Sequence, residues 1–235
     1  MTFVRLHFWG VANSYIPSAL ARMGTSRLDL RGIEHLSFAK LLGTAKPTTF
    51  TPTATDFNHW GLLTVWDDQD AAIEFDNSRV TKSWGLIAAE TLRIDMTPIA
   101  SHGQWSKREP FGNPEPAKVD GPVAAITRAR IRPNKMLEFW KASEKVAQAL
   151  SSAEGLVLTS GIGESPVGLQ GTFSVWESAE AMRTFAYTQP AHTEVIDQTP
   201  VIKWYAEELF ARFAVNSMKG RFAGMDFDLS GPAHD

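Results

Sequence analysis

A seven-residue phrase occurs twice in this chain. Gly61-Leu62-Leu63-Thr64-Val65-Trp66-Asp67 is echoed 110 positions later by Gly171-Thr172-Phe173-Ser174-Val175-Trp176-Glu177. At the same offset Asp70-Ala71-Ala72 lies over Glu180-Ala181-Met182, and Phe75 over Phe185. Each copy reads as an alternating strand ending in Val-Trp, then an acidic helix start and an apolar helical face. Asp67 or Asp68 and Ser178 are the expected N-caps. An internal duplication constrains the fold more than any compositional figure, because each copy must be one supersecondary unit.

The flanking segments extend the unit. Upstream of each Val-Trp strand stands another strand ending in small residues, His35 to Gly43 in one copy and Leu156 to Gly163 in the other. Opening strands are expected at Arg5 to Gly10 and Val123 to Ile131. Tyr15, Ile16, Ala19, Leu20 and Met23 mark a helix in the first copy. In the second, Pro133 suits a first helical turn, and Met136, Phe139, Trp140, Ser143, Ala147 and Leu150 follow one face. Closing strands are expected near Glu90 to Ile99 and Ala206 to Val215. The order β-α-β-β-α-β is ferredoxin-like, so the fold class is α+β with two tandem ferredoxin-like repeats. The repeats span residues 1–101 and 122–235, and the Gly- and Pro-rich stretch 102–121 reads as a linker. A four-stranded sheet with helices on one side leaves its other side apolar. Two such sheets facing each other would form a barrel-like arrangement.

Composition narrows the chemistry. The net charge is −3 and no basic run is concentrated, which argues against a nucleic-acid partner. The absence of cysteine excludes disulfides, Fe–S clusters, cysteine nucleophiles and cysteine-ligated haem. No apolar run reaches the roughly 20 residues of a membrane span, and no secretory signal opens the sequence, so a cytoplasmic, non-transmembrane protein is expected. The 8 Trp and 14 Phe stand against only 3 Tyr. They serve either a bulky core or a flat, greasy ligand held between aromatic faces.

Differences between copies point to a site in the second. At the 110-residue offset, His192 lies over Lys82, just inside a short helix started by Pro190. A helix directing one imidazole toward a cavity can supply an axial ligand to haem iron; the ordinary alternative is a surface or hydrogen-bonded histidine. His7, His35, His59, His102 and His234 show no close metal-ligand spacing. Arg128, Arg130 and Arg132 alternate along a strand and share one face, where they would be solvated or grip an anion. Arg212 reads equally as a salt-bridge partner at a barrel mouth or a catalytic hydrogen-bond donor. Glu207 and Glu208 point to opposite faces and make no carboxylate pair. Gly161-Ile162-Gly163-Glu164 lacks the rest of a nucleotide fingerprint and reads as a strand end. Trp176, Phe185 and Trp204 are candidates for a pocket wall, with plain core packing the alternative for each.

Gly121-Pro122-Val123-Ala124-Ala125-Ile126-Thr127-Arg128-Ala129, Gly161-Ile162-Gly163-Glu164, Phe173-Ser174-Val175-Trp176 and Glu207 to Val215 together resemble the spheroidene monooxygenase family of carotenoid biosynthesis. Phe50-Thr51-Pro52 and Gly103-Gln104-Trp105-Ser106 are similar too. The resemblance implies a dimeric α+β-barrel-like fold holding haem b. It also implies oxygen insertion into a small hydrophobic, carotenoid-like substrate, with electrons from a ferredoxin-type donor. His192 is then the expected axial metal ligand, with Trp176, Phe185 and Trp204 around the cofactor and Arg128 and Arg212 as catalytic candidates. A homodimer is a further expectation. Three other readings compete: a haem-dependent dehydratase acting on an N–O bond, like the aldoxime dehydratases; a cofactor-free α+β-barrel monooxygenase; and a non-catalytic binding protein.

Overall fold

A computed structural model of the chain describes residues 2–46, 54–132, 149–150, 152–164, 171–188 and 205–230. In the first half, β1 (Phe3–Val11) leads through α1 (Ile16–Asp29) to β2 (Leu36–Ala45) and β3 (Thr55–Trp66). The short helices α2 (Gln69–Glu74) and α3 (Arg79–Gly85) then lead to β4 (Ala88–Gly103). In the second half β5 (Val123–Ile131), β6 (Leu156–Gly163), β7 (Gly171–Trp176), α4 (Ala179–Thr188) and β8 (Tyr205–Phe222) follow the same order, and β9 (Met225–Ser230) ends the described chain. The helix expected from Pro133 falls largely outside the described residues. Both N-caps behave as read: Asp68 accepts from the Asp70 amide and Ser178 from the Ala181 amide.

All nine strands share one sheet, ordered β4-β1-β3-β2-β6-β7-β5-β8-β9. An additional antiparallel β4–β8 pairing, from Leu92↔Gly220 to Gly103↔Leu209, joins the flanks of that order, so the sheet closes on itself. The two halves therefore meet twice, the other seam being Gly43↔Gly163 to Ala45↔Gly161 between β2 and β6. Neither half keeps a free apolar edge along these seams, and closure removes the unpaired backbone groups that an open sheet would present.

Strand alternation sorts the apolar side chains into two layers. Val4, Leu6 and Phe8 of β1 pack inside with Ala124, Ile126, Phe173, Phe213 and their neighbours. Phe3, Trp9 and Val11 turn outward under α1 and α3, where Trp60, Trp66 and Trp84 complete a second core. A third, smaller core of Ile99, Val123, Leu150, Trp176, Phe185 and Ala214 lies outside the second half. Residues 102–121 do not run free. β4 continues through Gly103, and Trp105 and Phe111 are buried in the interior core. Phe111 meets Phe213 edge-on with ring centroids 4.9 Å apart.

Cross-strand register fixes how the halves correspond. Phe3 faces Trp66 as Val123 faces Trp176, so β1 and β5 are related by 120 positions although β3 and β7 are related by 110. Phe8 pairs with Leu92 as Arg128 pairs with Leu209, which relates β4 and β8 by 117. Connections of different length lie between equivalent strands. The overlay of His192 on Lys82 follows the first offset only, and both the seven extra residues and His192 fall between β7 and β8.

Candidate functional site

The duplicated scaffold diverges in two places, one inside the closed sheet and one outside it. Inside, Arg128 occupies the position of Phe8 in the first half, and its side chain is 1% exposed. Its Nη2 donates to Glu164 Oε1 at 2.8 Å and its Nη1 to Glu207 Oε1 at 2.5 Å. Glu164 also accepts from Trp105 Nε1 at 2.7 Å and, at Oε2, from Lys40 Nζ at 2.5 Å. Glu207 is held from the other side by the amides of Ser106 and Lys107, at 3.0 and 2.8 Å. Those two residues adopt left-handed φ values of 56° and 60°, an unfavourable backbone for side-chain-bearing residues. The carboxylate they bind offsets that cost. The Trp105 ring lies under the Arg128 guanidinium at 5.2 Å.

This charge cluster plugs one mouth of the closed sheet. Burial pushes the Glu164 carboxyl upward, but Lys40, Trp105 and Arg128 outweigh it and hold the group below the usual carboxylate range. At Glu207, burial is likewise outweighed, by the Lys107 and Ser106 amides and then by Arg128. Both groups stay ionised at neutral pH and act as acceptors, not proton donors. Arg130, on the same face, is exposed with Nη2 4.0 Å from Glu207. Arg132 is exposed as well.

Outside, the helix-facing surface of the two sheets differs sharply. In the first half it carries Arg5, His7 and Trp9 on β1, Leu41 on β2 and Leu62 on β3. Arg5 binds Asp95 and the Ala72 carbonyl, His7 pairs with Asp76, and Trp9 stacks on Trp84. By register the second half places Ala125, Thr127, Ala129, Gly161 and Thr172 at those positions. Large groups become small ones across the middle of a sheet. Thr127 is exposed there, as are Phe210, at 41%, and Arg212. The buried hydroxyl of Thr159 finds no hydrogen-bond partner.

Trp176 and Phe185 border this surface. Their rings lie 5.3 Å apart, and Trp176 Nε1 donates to Ser174 Oγ at 3.0 Å. Both pack into the third core, and α4 beside them ends four positions before His192. His192 and Trp204 lie outside the described residues. The structure therefore separates the two arginines read as catalytic: Arg128 points inward into its carboxylate cluster, and Arg212 projects from the outer face of the next strand. Of this cluster the sequence marks Arg128 as a candidate, whereas nothing local marks Lys40, and Glu164 carries only the strand-end signal of Gly161-Ile162-Gly163-Glu164. Among the described residues no three His, Asp or Glu gather as a metal site, and no helix is long and apolar enough to cross a membrane.

No family model matches the chain. It is 33% identical over 219 residues to the spheroidene monooxygenase of Rhodobacter capsulatus, covering 91% of this chain and 89% of that one. It is 36% identical over 191 residues to the spheroidene monooxygenase of Rubrivivax gelatinosus, covering 80% and 72%. Among solved structures, an aldoxime dehydratase crystallised with butyraldoxime matches with a TM-score of 0.61 at 8% identity, over 91% of this chain and 79% of that one. That likeness is one of fold. The sequence likeness runs nearly end to end through both repeats, and the chain accordingly belongs to the spheroidene monooxygenase family, a family of oxidoreductases.

Proposed function

We propose that this protein is a haem-dependent monooxygenase that inserts oxygen into a hydrophobic, carotenoid-like substrate. The observation that carries the reading is the 33% identity to a spheroidene monooxygenase over about nine-tenths of both chains. The two repeats, 1–101 and 122–235, form a dimeric α+β-barrel arrangement within one chain. Electrons come from a ferredoxin-type donor, and the protein works in the cytoplasm, as a homodimer.

The residues of the second half fit haem b. A flat macrocycle needs a broad surface of small side chains, which Ala125, Thr127, Ala129, Gly161 and Thr172 offer and the Trp-filled first half does not. Arg212 and the hydroxyl of Thr159 stand ready for polar edges such as propionates. Trp176 and Phe185, with Trp204, form the apolar wall. His192, four positions beyond α4 in the sequence, would hold the haem iron. Bound haem supplies the dioxygen chemistry that no side chain of this cysteine-free chain provides. The protein's own part is to orient the macrocycle through His192 and Arg212, to exclude water with the aromatic wall, and to stop entry through the opposite face. There the packed interior and the Arg128 cluster seal the sheet.

The test is turnover under ¹⁸O₂. Haem-loaded protein given reduced ferredoxin and a linear polyene should yield product carrying ¹⁸O. Turnover without an electron donor, or product oxygen drawn from water, would contradict the reading.

A further inference from the structure

A cleft of about 460 Å³ lies between α1, β2 and the segment after β4, on the first half's side of the plugged mouth. Its lining holds four cations, Arg27, Arg31, Lys40 and Arg108, against one carboxylate, Glu164. That carboxylate is fully committed: Oε1 receives Trp105 and Arg128, and Oε2 receives Lys40. Arg27 donates only to the Glu164 backbone carbonyl, at 3.3 Å. Among the described residues no carboxylate pairs with Arg31 or Arg108. The helix C-terminus accounts for a cation at Arg27, but Arg108 comes from a separate segment where no helix dipole acts. Between the cations the floor is apolar, made by Leu30, Leu36 and Phe38, with Lys40 and Arg108 over the Phe38 ring at 5.6 and 5.8 Å.

An apolar floor ringed by uncompensated guanidiniums is complementary to one kind of molecule. We propose that this cleft binds an amphiphilic anion, a phosphate or carboxylate head on an apolar chain, with Arg31 and Arg108 gripping the head and Leu30, Leu36 and Phe38 covering the start of the chain. The cleft is lined mainly by first-half residues, with Glu164 the one contribution of the second half, and the proposal does not depend on haem. The head group belongs either to a free amphiphile or to an anionic lipid in a bilayer.

Calorimetric titration of the full chain with dodecyl phosphate, below its micellar concentration, tests the proposal. The anion should bind at least tenfold more tightly than dodecyl maltoside, which has the same chain and a neutral head. The double variant Arg31→Ala/Arg108→Ala should lose tenfold or more in affinity, equivalent to about 1.4 kcal/mol or more. Lys219→Ala, which removes an exposed cation on β8 outside the cleft lining, should change nothing. Co-sedimentation with phosphatidylglycerol vesicles identifies the source: retention of the parent but not the double variant assigns a lipid head group, and binding of dodecyl phosphate alone assigns a free amphiphile. Equal affinity for the neutral detergent, unchanged binding by the double variant in both assays, or no binding in either, would overturn it.

Discussion

Arg128 Nη1 donates to Glu207 Oε1 at 2.5 Å across the β5–β8 pair, inside the closed sheet, at the position Phe8 fills in the other half. One repeat closes its end of the interior with an aromatic ring; the other uses a buried arginine between two carboxylates. An isolated buried charge is costly, so the members of such a cluster depend on one another.

Truncating the arginine should therefore cost far more than its packing alone. Arg128→Ala is expected to destabilise the protein by about 3–5 kcal/mol, because Glu164 and Glu207 lose their shared counter-charge. Adding Glu207→Gln to the variant should recover part of that loss. Urea denaturation of both variants measures the difference.

Acid should loosen the same plug. Glu164 and Glu207 titrate below their usual value of 4.5 in the folded protein. Their stabilisation is present above the unfolded-state value and is lost as pH falls through the lower folded values. The urea midpoint should drop below about pH 4.5, and Glu207→Gln should flatten that drop.

His59 behaves oppositely. Burial disfavours its charged ring, but Asp56 at 2.8 Å and Glu90 at 3.4 Å outweigh that and raise its pKa above 6.5. Its contribution is fully present below the unfolded value and disappears as pH rises through the folded one. Between pH 6.5 and the alkaline end of the histidine range, the parent should lose stability that His59→Gln does not lose.

Two glycines hold the β4–β8 seam. A Cβ at Gly103 would stand 2.2 Å from the Glu208 carbonyl oxygen, and one at Gly220 2.0 Å from that of Thr91, with φ of +91° and +125°. The positions are equivalent across the duplication. Gly103→Ala and Gly220→Ala should each cost at least about 1–3 kcal/mol in urea melts, from backbone strain alone.

Much of this scaffold is written locally. The Val-Trp phrase, the N-cap at Asp68 and the strands at Val123–Ile131 and Leu156–Gly163 follow from alternation and capping chemistry. The 110-residue offset holds for β3 and β7 but not for β1 and β5 or for β4 and β8, because connections of unequal length separate equivalent strands, which pattern matching at one offset cannot see. Arg128, Arg130 and Arg132 could be assigned to one face, but not to the inward one, since that depends on which strand pairs with β5. The partners of Arg128 come from residues 36 and 79 positions away, beyond any local signal. Trp105 stands in a Gly- and Pro-rich stretch that reads as linker; its burial comes from its contacts with Arg128 and Phe38. The strand β9 carries no expectation at all, since its short apolar alternation after Gly224 is paired only through β8.

Haem held in the second half through His192 would be visible when the purified protein is titrated with haemin and absorbance is followed, alongside His192→Ala and Arg212→Ala. A Soret band should saturate at one equivalent, be lost or displaced in His192→Ala, and keep its position with weaker haemin binding in Arg212→Ala. A protein that takes up no haemin, or a His192→Ala spectrum identical to the parent's, would contradict it.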